Sequence, residues 1–204
     1  MLALSATTHA ADADPFDPSA ALAGAKGTLQ GEAPRLGGEG PSAGIMVGFA
    51  QNLIVLEQAI GPDLPALSSV MPLNIYGGYT YKEHFRIDLF VPIYTHISAP
   101  LTGFGGAAMG DIRIQGLIPV YEHSDYFAIA IVPRIGLPTG NRNAMVGRGF
   151  HASVGGAFGG ETNFGLGYLA NLDLTISGAD SIAGVGMGSS IDFLAGTYYR
   201  ATDA

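Results

Sequence analysis

Apolar side chains recur at every second position over eight stretches of this chain, all after residue 42. Because successive side chains of a β-strand point to opposite faces, each stretch presents one continuous apolar face and one mixed face that often carries charge. The pattern therefore predicts eight strands. The stretches cover residues 43–53, 70–81, 85–94, 111–120, 126–137, 150–158, 164–173 and 185–199.

The segments that connect these stretches alternate between short and long. The short ones are polar, as hairpin turns are, and the long ones are rich in Gly, Pro, Ala and Ser. Outer-membrane barrels show this alternation, with short periplasmic turns and longer external loops. The short turns are 82–84, 122–125 and 159–162, and the longer connections are 54–69, 95–110, 138–149 and 174–184.

The strand length and the loop pattern together predict the fold class. Strands of soluble sheets usually have about five or six residues, whereas a tilted strand crosses a bilayer with about 9–11. We therefore predict an all-β fold, an antiparallel up-and-down transmembrane β-barrel over residues 43–200, with about eight strands in this chain. The barrel is either complete or part of a larger one. We expect the sheet to close, because lipid offers no hydrogen bonds to an open edge.

Tyrosines lie mostly near the ends of the predicted strands. This position suits the aromatic girdle that barrels place at the membrane interface. Ordinary aromatic residues at strand ends are the alternative. The tyrosines concerned are Tyr76, Tyr79, Tyr81, Tyr94, Tyr121, Tyr126, Tyr168, Tyr198 and Tyr199.

Composition excludes several other classes of protein. Only 13% of the residues are charged, and the mean hydropathy is +0.30, so the chain is too apolar to be intrinsically disordered as a whole. It has no cysteine for a disulfide scaffold or a thiolate metal site. A net charge of -8 with nine basic residues argues against nucleic-acid binding. No apolar run approaches the roughly 18 residues of a transmembrane helix.

The first 42 residues differ from the rest of the chain. Thr8 and Ala10 place small residues at the positions of a signal-peptide cleavage site, so residues 1–10 are interpreted as the end of a signal peptide. An unstructured terminus is the alternative. Residues 11–42 are rich in Ala, Gly, Pro and acidic residues without a period, which predicts a disordered lead-in to the barrel.

Two motifs carry a resemblance to known barrels. Residues 110–113 read Gly-Asp-Ile-Arg, and residues 133–140 read Pro-Arg-Ile-Gly-Leu-Pro-Thr-Gly. This sequence resembles the N-terminal β-barrel of myxobacterial-type OmpA-family proteins, and it is similar to the phenol-degradation-type outer-membrane channels. The resemblance covers residues 70–200. It implies an outer-membrane barrel of a Gram-negative envelope and does not identify a substrate.

The mixed faces of the predicted strands carry the candidate site. In an eight-stranded barrel the interior is just wide enough for side chains to fill it, so these residues would form arginine–carboxylate pairs there. In a wider barrel they would line a polar channel and set its selectivity. The predicted lumen network is Arg86, Asp88, Asp111, Arg113, Gln115, Arg134, Asn171, Asp173 and Asp192.

The predicted function is a structural barrel or a passive small-solute channel of the bacterial outer membrane, porin-like, non-catalytic and without a cofactor or metal site. Its expected partners are outer-membrane lipid and small solutes, and the oligomeric state stays open. One alternative is a barrel lipid hydrolase, because His151 and Ser153 fall on one strand face as a base and a nucleophile would. The other is a secreted, soluble β-sandwich binding module, whose outward face should be polar.

Overall fold

A computed structural model describes residues 4–6, 32–36, 38–56, 64–82, 84–124, 126–144, 146–177, 180–182, 185–187 and 189–199. In these parts the chain is all-β, and a 3-10 turn at Arg142–Ala144 is the one helical element among them. The strands are β1 (Leu4–Ala6), β2 (Gly40–Val47), β3 (Ala50–Leu56), β4 (Leu64–Tyr81), β5 (Phe85–Ala99), β6 (Phe104–Met109), β7 (Ile112–His123), β8 (Phe127–Leu137), β9 (His151–Glu161), β10 (Leu166–Ser177), β11 (Asp180–Ile182), β12 (Val185–Met187) and β13 (Ser190–Tyr199).

Eleven of these strands form one antiparallel sheet, which curls into a half-barrel; apart from the three-residue β1, which lies along the outer edge of β13, they fill eight strand positions. β2 and β3 lie one after the other along β4, and β6 and β7 do the same along β5, so each of these pairs fills one position. β11 and β12 form a separate hairpin. The eight positions correspond to the eight alternating stretches of the sequence, so the prediction of about eight antiparallel strands is confirmed.

The predicted closure of the sheet is not found within the described residues. β13 pairs with β10 on one side and with the three-residue β1 on the other. β2 and β3, at the opposite edge, pair with β4. The first and last of the eight positions therefore share no ladder in the described parts of the chain, and the sheet keeps two edges.

The two ends of the strands differ. At one end, tight turns join β4 to β5, β7 to β8 and β9 to β10, and Lys82 and Ser124 adopt left-handed backbone angles in two of them. At the other end, strands extend into two predicted connections, 54–69 and 95–110, so the prediction of loops was wrong there. Bulges between Met71 and Pro72 and between Tyr94 and Ile97 interrupt the alternation, which hides these extensions in the sequence.

The two faces of the sheet differ in chemistry. On β5, Ile87 and Leu89 are exposed on the convex face, whereas Arg86, Asp88 and Phe90 are buried on the concave face. The described strands form this curled sheet and a small hairpin rather than the two packed sheets of a β-sandwich. The exposed aliphatic residues of the convex face include Ile45, Val47, Ile75, Ile87, Leu89, Ile114, Ile118, Ile131, Ile135, Val154, Leu172, Leu174 and Ile191.

The exposed tyrosines form a band near the tight turns. Tyr76 and Tyr94 do not join it, because both are buried on the concave face, so the predicted girdle was wrong for these two. Tyr198 also faces inward, where its ring lies over Gly167, so the predicted girdle was wrong for this residue too. The tyrosines of the band are Tyr79, Tyr81, Tyr121, Tyr126, Tyr168 and Tyr199.

No helix in the described residues is long and apolar enough to cross a membrane.

Apart from Leu4–Ala6, residues 1–31 lie outside the described parts of the chain, and so do most of the predicted signal-peptide end and most of the predicted lead-in. Within that stretch, β1 lies along β13. Residues 32–36 are described, and the first long strand begins at Gly40 rather than at residue 43. The position of residues 32–36 determines the geometry of the candidate site.

Candidate functional site

Residues 32–36, referred to below as the inner segment, run over the concave face of the sheet. Glu32, Ala33 and Pro34 are buried. Arg35 reaches the end with the tight turns, where its Nε donates to Glu122 Oε1 at 2.8 Å and its Nη2 donates to the backbone oxygen of Ser124. Leu36 packs against a small apolar cluster on the same face. That cluster is Leu117, Ala130, Val132 and Ala157.

Glu32 lies at the centre of the concave face, and three strands supply its hydrogen-bond donors. Arg86 Nη2 on β5 donates to Glu32 Oε2 at 2.8 Å, and Gln115 Nε2 on β7 donates to Glu32 Oε1 at 2.7 Å. Asn171 Nδ2 on β10 donates to the Glu32 backbone oxygen at 3.0 Å. Both carboxylate oxygens thus have a donor, which offsets the cost of removing this charge from water.

Further contacts extend from these donors into a network. Arg86 Nε donates to Asp88 Oδ2 at 2.7 Å. Arg134 Nε donates to Gln115 Oε1 at 2.8 Å, and its Nη1 pairs with Asp173 Oδ1. Gln115 therefore links the two arginines, with its amide nitrogen toward Glu32 and its amide oxygen toward Arg134. Removing one partner of such a buried pair strongly destabilises the protein, because the other partner is left as an uncompensated charge.

Two glycines make room for the aspartates of the network. Gly78 lies opposite Asp88 in the β4–β5 ladder, and Gly155 lies opposite Asp173 in the β9–β10 ladder. A Cβ atom at either glycine would overlap the facing carboxylate. Glycine at these two positions therefore lets each aspartate lie across the neighbouring strand and reach its arginine.

Six of the nine predicted lumen residues meet in this network through Glu32, and three lie beside it. Arg113 holds its guanidinium over the Phe90 ring, 4.3 Å from the centroid. Asp192 lies opposite Asp173 in the β10–β13 ladder and accepts from Ser190 Oγ at 2.9 Å. The six are Arg86, Asp88, Gln115, Arg134, Asn171 and Asp173.

Asp111, the third of these, fastens a long connection instead of joining the network. Its Oδ1 accepts from the backbone nitrogen of Gly140 at 2.7 Å. Its Oδ2 accepts from the nitrogens of Arg148 at 2.6 Å and Gly149 at 2.9 Å. The carboxylate thus holds both ends of the connection between β8 and β9, which folds over an apolar cluster at that end of the sheet. Two residues of that connection, Ala144 and Val146, are part of the cluster.

The structure also places the residues of the hydrolase alternative. His151 Nδ1 is 2.9 Å from the backbone oxygen of Gly149, and the imidazole ring lies against Gly136. Ser153 lies opposite Arg134 in the β8–β9 ladder. The two side chains share the concave face, and no hydrogen bond joins them in the described structure. Among the described residues, no group of three or more His, Asp and Glu side chains is placed to hold a metal ion.

Sequence reasoning missed Glu32, the residue on which the network converges. It lies in the stretch interpreted as a disordered lead-in, where no period or motif distinguishes it from the other acidic residues. The arrangement around it can bind a carboxylate through neutral and cationic donors. No known protein-family model matches the chain, and no curated protein matches it in sequence.

Proposed function

We propose that this chain is an outer-membrane β-barrel protein of a Gram-negative envelope, non-catalytic, which serves as a passive small-solute channel or as a structural barrel. Its partner is outer-membrane lipid. The observation that carries the proposal is the inversion of the two faces: Asp88 is fully buried while its neighbour Leu89 is 46% exposed.

The inversion is the opposite of what water favours. In a soluble protein, acidic and basic side chains are mostly exposed, and contiguous apolar patches are small unless they bind something. The convex face of this sheet instead carries aliphatic residues on strand after strand. Lipid acyl chains are the solvent that such a face suits. β8 has 11 residues, which agrees with the length of about 9–11 residues for a membrane-crossing strand.

The band of exposed tyrosines supports the same proposal. It lies near the tight turns, at one boundary of the aliphatic face, where outer-membrane barrels carry an interfacial girdle. Membrane insertion also requires the two sheet edges to be paired, because lipid cannot hydrogen-bond to them. The proposal therefore includes pairing of the β2–β3 edge and the β13 edge within the membrane.

The concave face supports a restricted passage. The inner segment and the network around Glu32 fill the space over the middle of the sheet. A solute would either pass beside this segment or pass after the segment has been displaced. Planar-bilayer recordings separate the two forms of the proposal, since discrete conductance steps support a channel and their absence supports a structural barrel.

The test of membrane embedding uses the absence of tryptophan from the chain. Leu89→Trp places a single fluorophore on the convex face, and Phe90→Trp places one at the adjacent position of the concave face. In vesicles whose acyl chains carry bromine, we expect strong quenching of the Leu89→Trp variant and little quenching of the Phe90→Trp variant. Because the two residues are adjacent on β5, the difference reports the face rather than the depth.

Equal quenching of the two variants would contradict the proposal. So would a wild-type protein that stays monodisperse in buffer without detergent, because an aliphatic face of this extent should then drive association.

A further inference from the structure

Two of the three donors around Glu32, Arg86 and Gln115, are held in place by contacts that do not involve Glu32. Arg86 is fixed by Asp88, whose Oδ2 accepts from Arg86 Nε at 2.7 Å. Gln115 is fixed by Arg134, whose Nε donates to Gln115 Oε1 at 2.8 Å. The donor atoms Arg86 Nη2 and Gln115 Nε2 both point at the Glu32 carboxylate, and neither side chain depends on Glu32 alone for its position. Such preorganised donors are the usual basis of a ligand site.

The present occupant of this position does not belong to the sheet. Glu32 is carried by the inner segment, while Arg86, Gln115 and Asn171 belong to strands β5, β7 and β10. If the segment moves away, three buried donors lose their acceptors, two of which are the oxygens of the Glu32 carboxylate. This loss is costly unless other acceptors replace them. A carboxylate from solution matches the two donors as the Glu32 carboxylate does.

We propose that Arg86, Gln115 and Asn171 form a binding site for small carboxylate solutes, and that Glu32 occupies this site as an intramolecular ligand. The inference rests on the proposed channel function, because solutes reach the site through the interior. Asn171 Nδ2, which donates to the Glu32 backbone oxygen at 3.0 Å, favours carboxylates that carry a second acceptor oxygen.

The charges around the site suit a passing solute. Without Glu32, Arg86 still faces Asp88, and Arg134 still faces Asp173. The donors thus select a carboxylate by hydrogen bonding within a nearly neutral surrounding, which limits the strength of binding. Conduction requires this balance, since a solute must bind well enough to enter and weakly enough to leave.

The experiment restores a missing carboxylate from solution. Glu32→Ala protein is refolded in detergent, and its thermal unfolding midpoint is measured in sodium acetate and in sodium chloride at equal ionic strength. We expect acetate to raise the midpoint by about 2–4 °C over chloride, an effect that grows with concentration. The wild type should respond less, because Glu32 competes for the site.

Two variants serve as controls. Arg35→Ala removes another anchor of the inner segment but leaves Glu32 in place, so its response to acetate should stay well below that of Glu32→Ala. Glu32→Ala combined with Gln115→Leu removes one donor as well, and its response to acetate should be lost. If Glu32→Ala does not refold, Glu32→Gln replaces it, with the same direction expected and a smaller shift.

An equal response to acetate and chloride would overturn the proposal, and so would a response that survives the loss of Gln115. The measurement is made in detergent without a bilayer or a current. A failure here, with lipid quenching as expected, removes the carboxylate site and leaves the membrane barrel intact. A failure of the quenching test, with acetate rescue as expected, removes the barrel and leaves the site.

Discussion

The convex and concave faces are built from alternate residues of the same strands, yet they carry different information. Convex residues such as Ile114 and Ile131 have no directional preference, so any aliphatic side chain would serve there. Concave residues such as Arg86 and Gln115 hydrogen-bond to particular partners on other elements. A shift of one residue would send every charge to the apolar face. The apolar face thus determines which solvent the sheet suits, and the polar face determines the register in which the strands pair.

The largest expected effect comes from breaking the concave face at its centre. Arg86→Met leaves the carboxylates of Glu32 and Asp88 buried without their common cation. We expect a loss of about 3–5 kcal/mol in the free energy of unfolding. Urea unfolding of protein refolded in detergent measures it.

Arg35→Met is the matched control, because Arg35 also pairs with a glutamate, but Glu122 has a side chain that is 58% exposed. That change should cost about 0–1 kcal/mol. The role assigned to the buried network is wrong if the two arginine variants unfold at similar urea concentrations.

The next effect concerns the convex face. Ile131→Lys places a charge at the middle of β8 on that face, and it should cost about 2–4 kcal/mol if acyl chains surround it. In water, a substitution at an exposed site away from special contacts changes the free energy of unfolding by about 0.5 kcal/mol or less. Unfolding from lipid vesicles gives the value, with Phe164→Lys near a tight turn as the reference. Equal losses of stability at the two positions would contradict the proposal that the convex face lies in the membrane.

The smallest expected effect comes from comparing two adjacent glycines, one on each face of the sheet. Gly78→Ala puts a Cβ against the Asp88 carboxylate and 2.8 Å from the backbone oxygen of Ile87, so it should destabilise by about 1–3 kcal/mol through overpacking. Gly77→Ala meets only the Ser42 oxygen at 3.8 Å and should be neutral or stabilise by about 0.5–1 kcal/mol. The unfolding midpoints of the two variants provide the comparison, and a reversed order would contradict it.

The sequence contains the strands and their faces because both follow from a local rule. The parity of Arg86 and Asp88 against Ile87 and Leu89 is visible within five residues, and burial follows this parity over the first part of β5. The same parity predicts that Gln115, Arg134 and Asp173 lie on the mixed faces of their strands. Their meeting in a network follows once neighbouring strands pair in register.

The features that cannot be predicted from the sequence depend on pairs of residues that lie far apart along the chain. Glu32 bonds to Gln115, 83 positions away, and to Asn171, 139 positions away. No periodicity connects such residues, so the inner segment could not be placed. Asp111 shows another limit, because its parity puts it with the lumen charges while its oxygens serve three backbone nitrogens of one connection. The bulges of β4 and β5 conceal strand extensions for a related reason, since they interrupt the local rule itself.

The reach of Glu32 also bears on the order in which the molecule forms. Hairpins such as β4–β5 close through a short turn and have little chain entropy to overcome. The contact with Asn171 must wait until β10 has been added to the sheet and the sheet has curled over residues near the start of the chain. We therefore expect the centre of the interior to be among the last parts to form during folding, even though one of its members precedes every long strand.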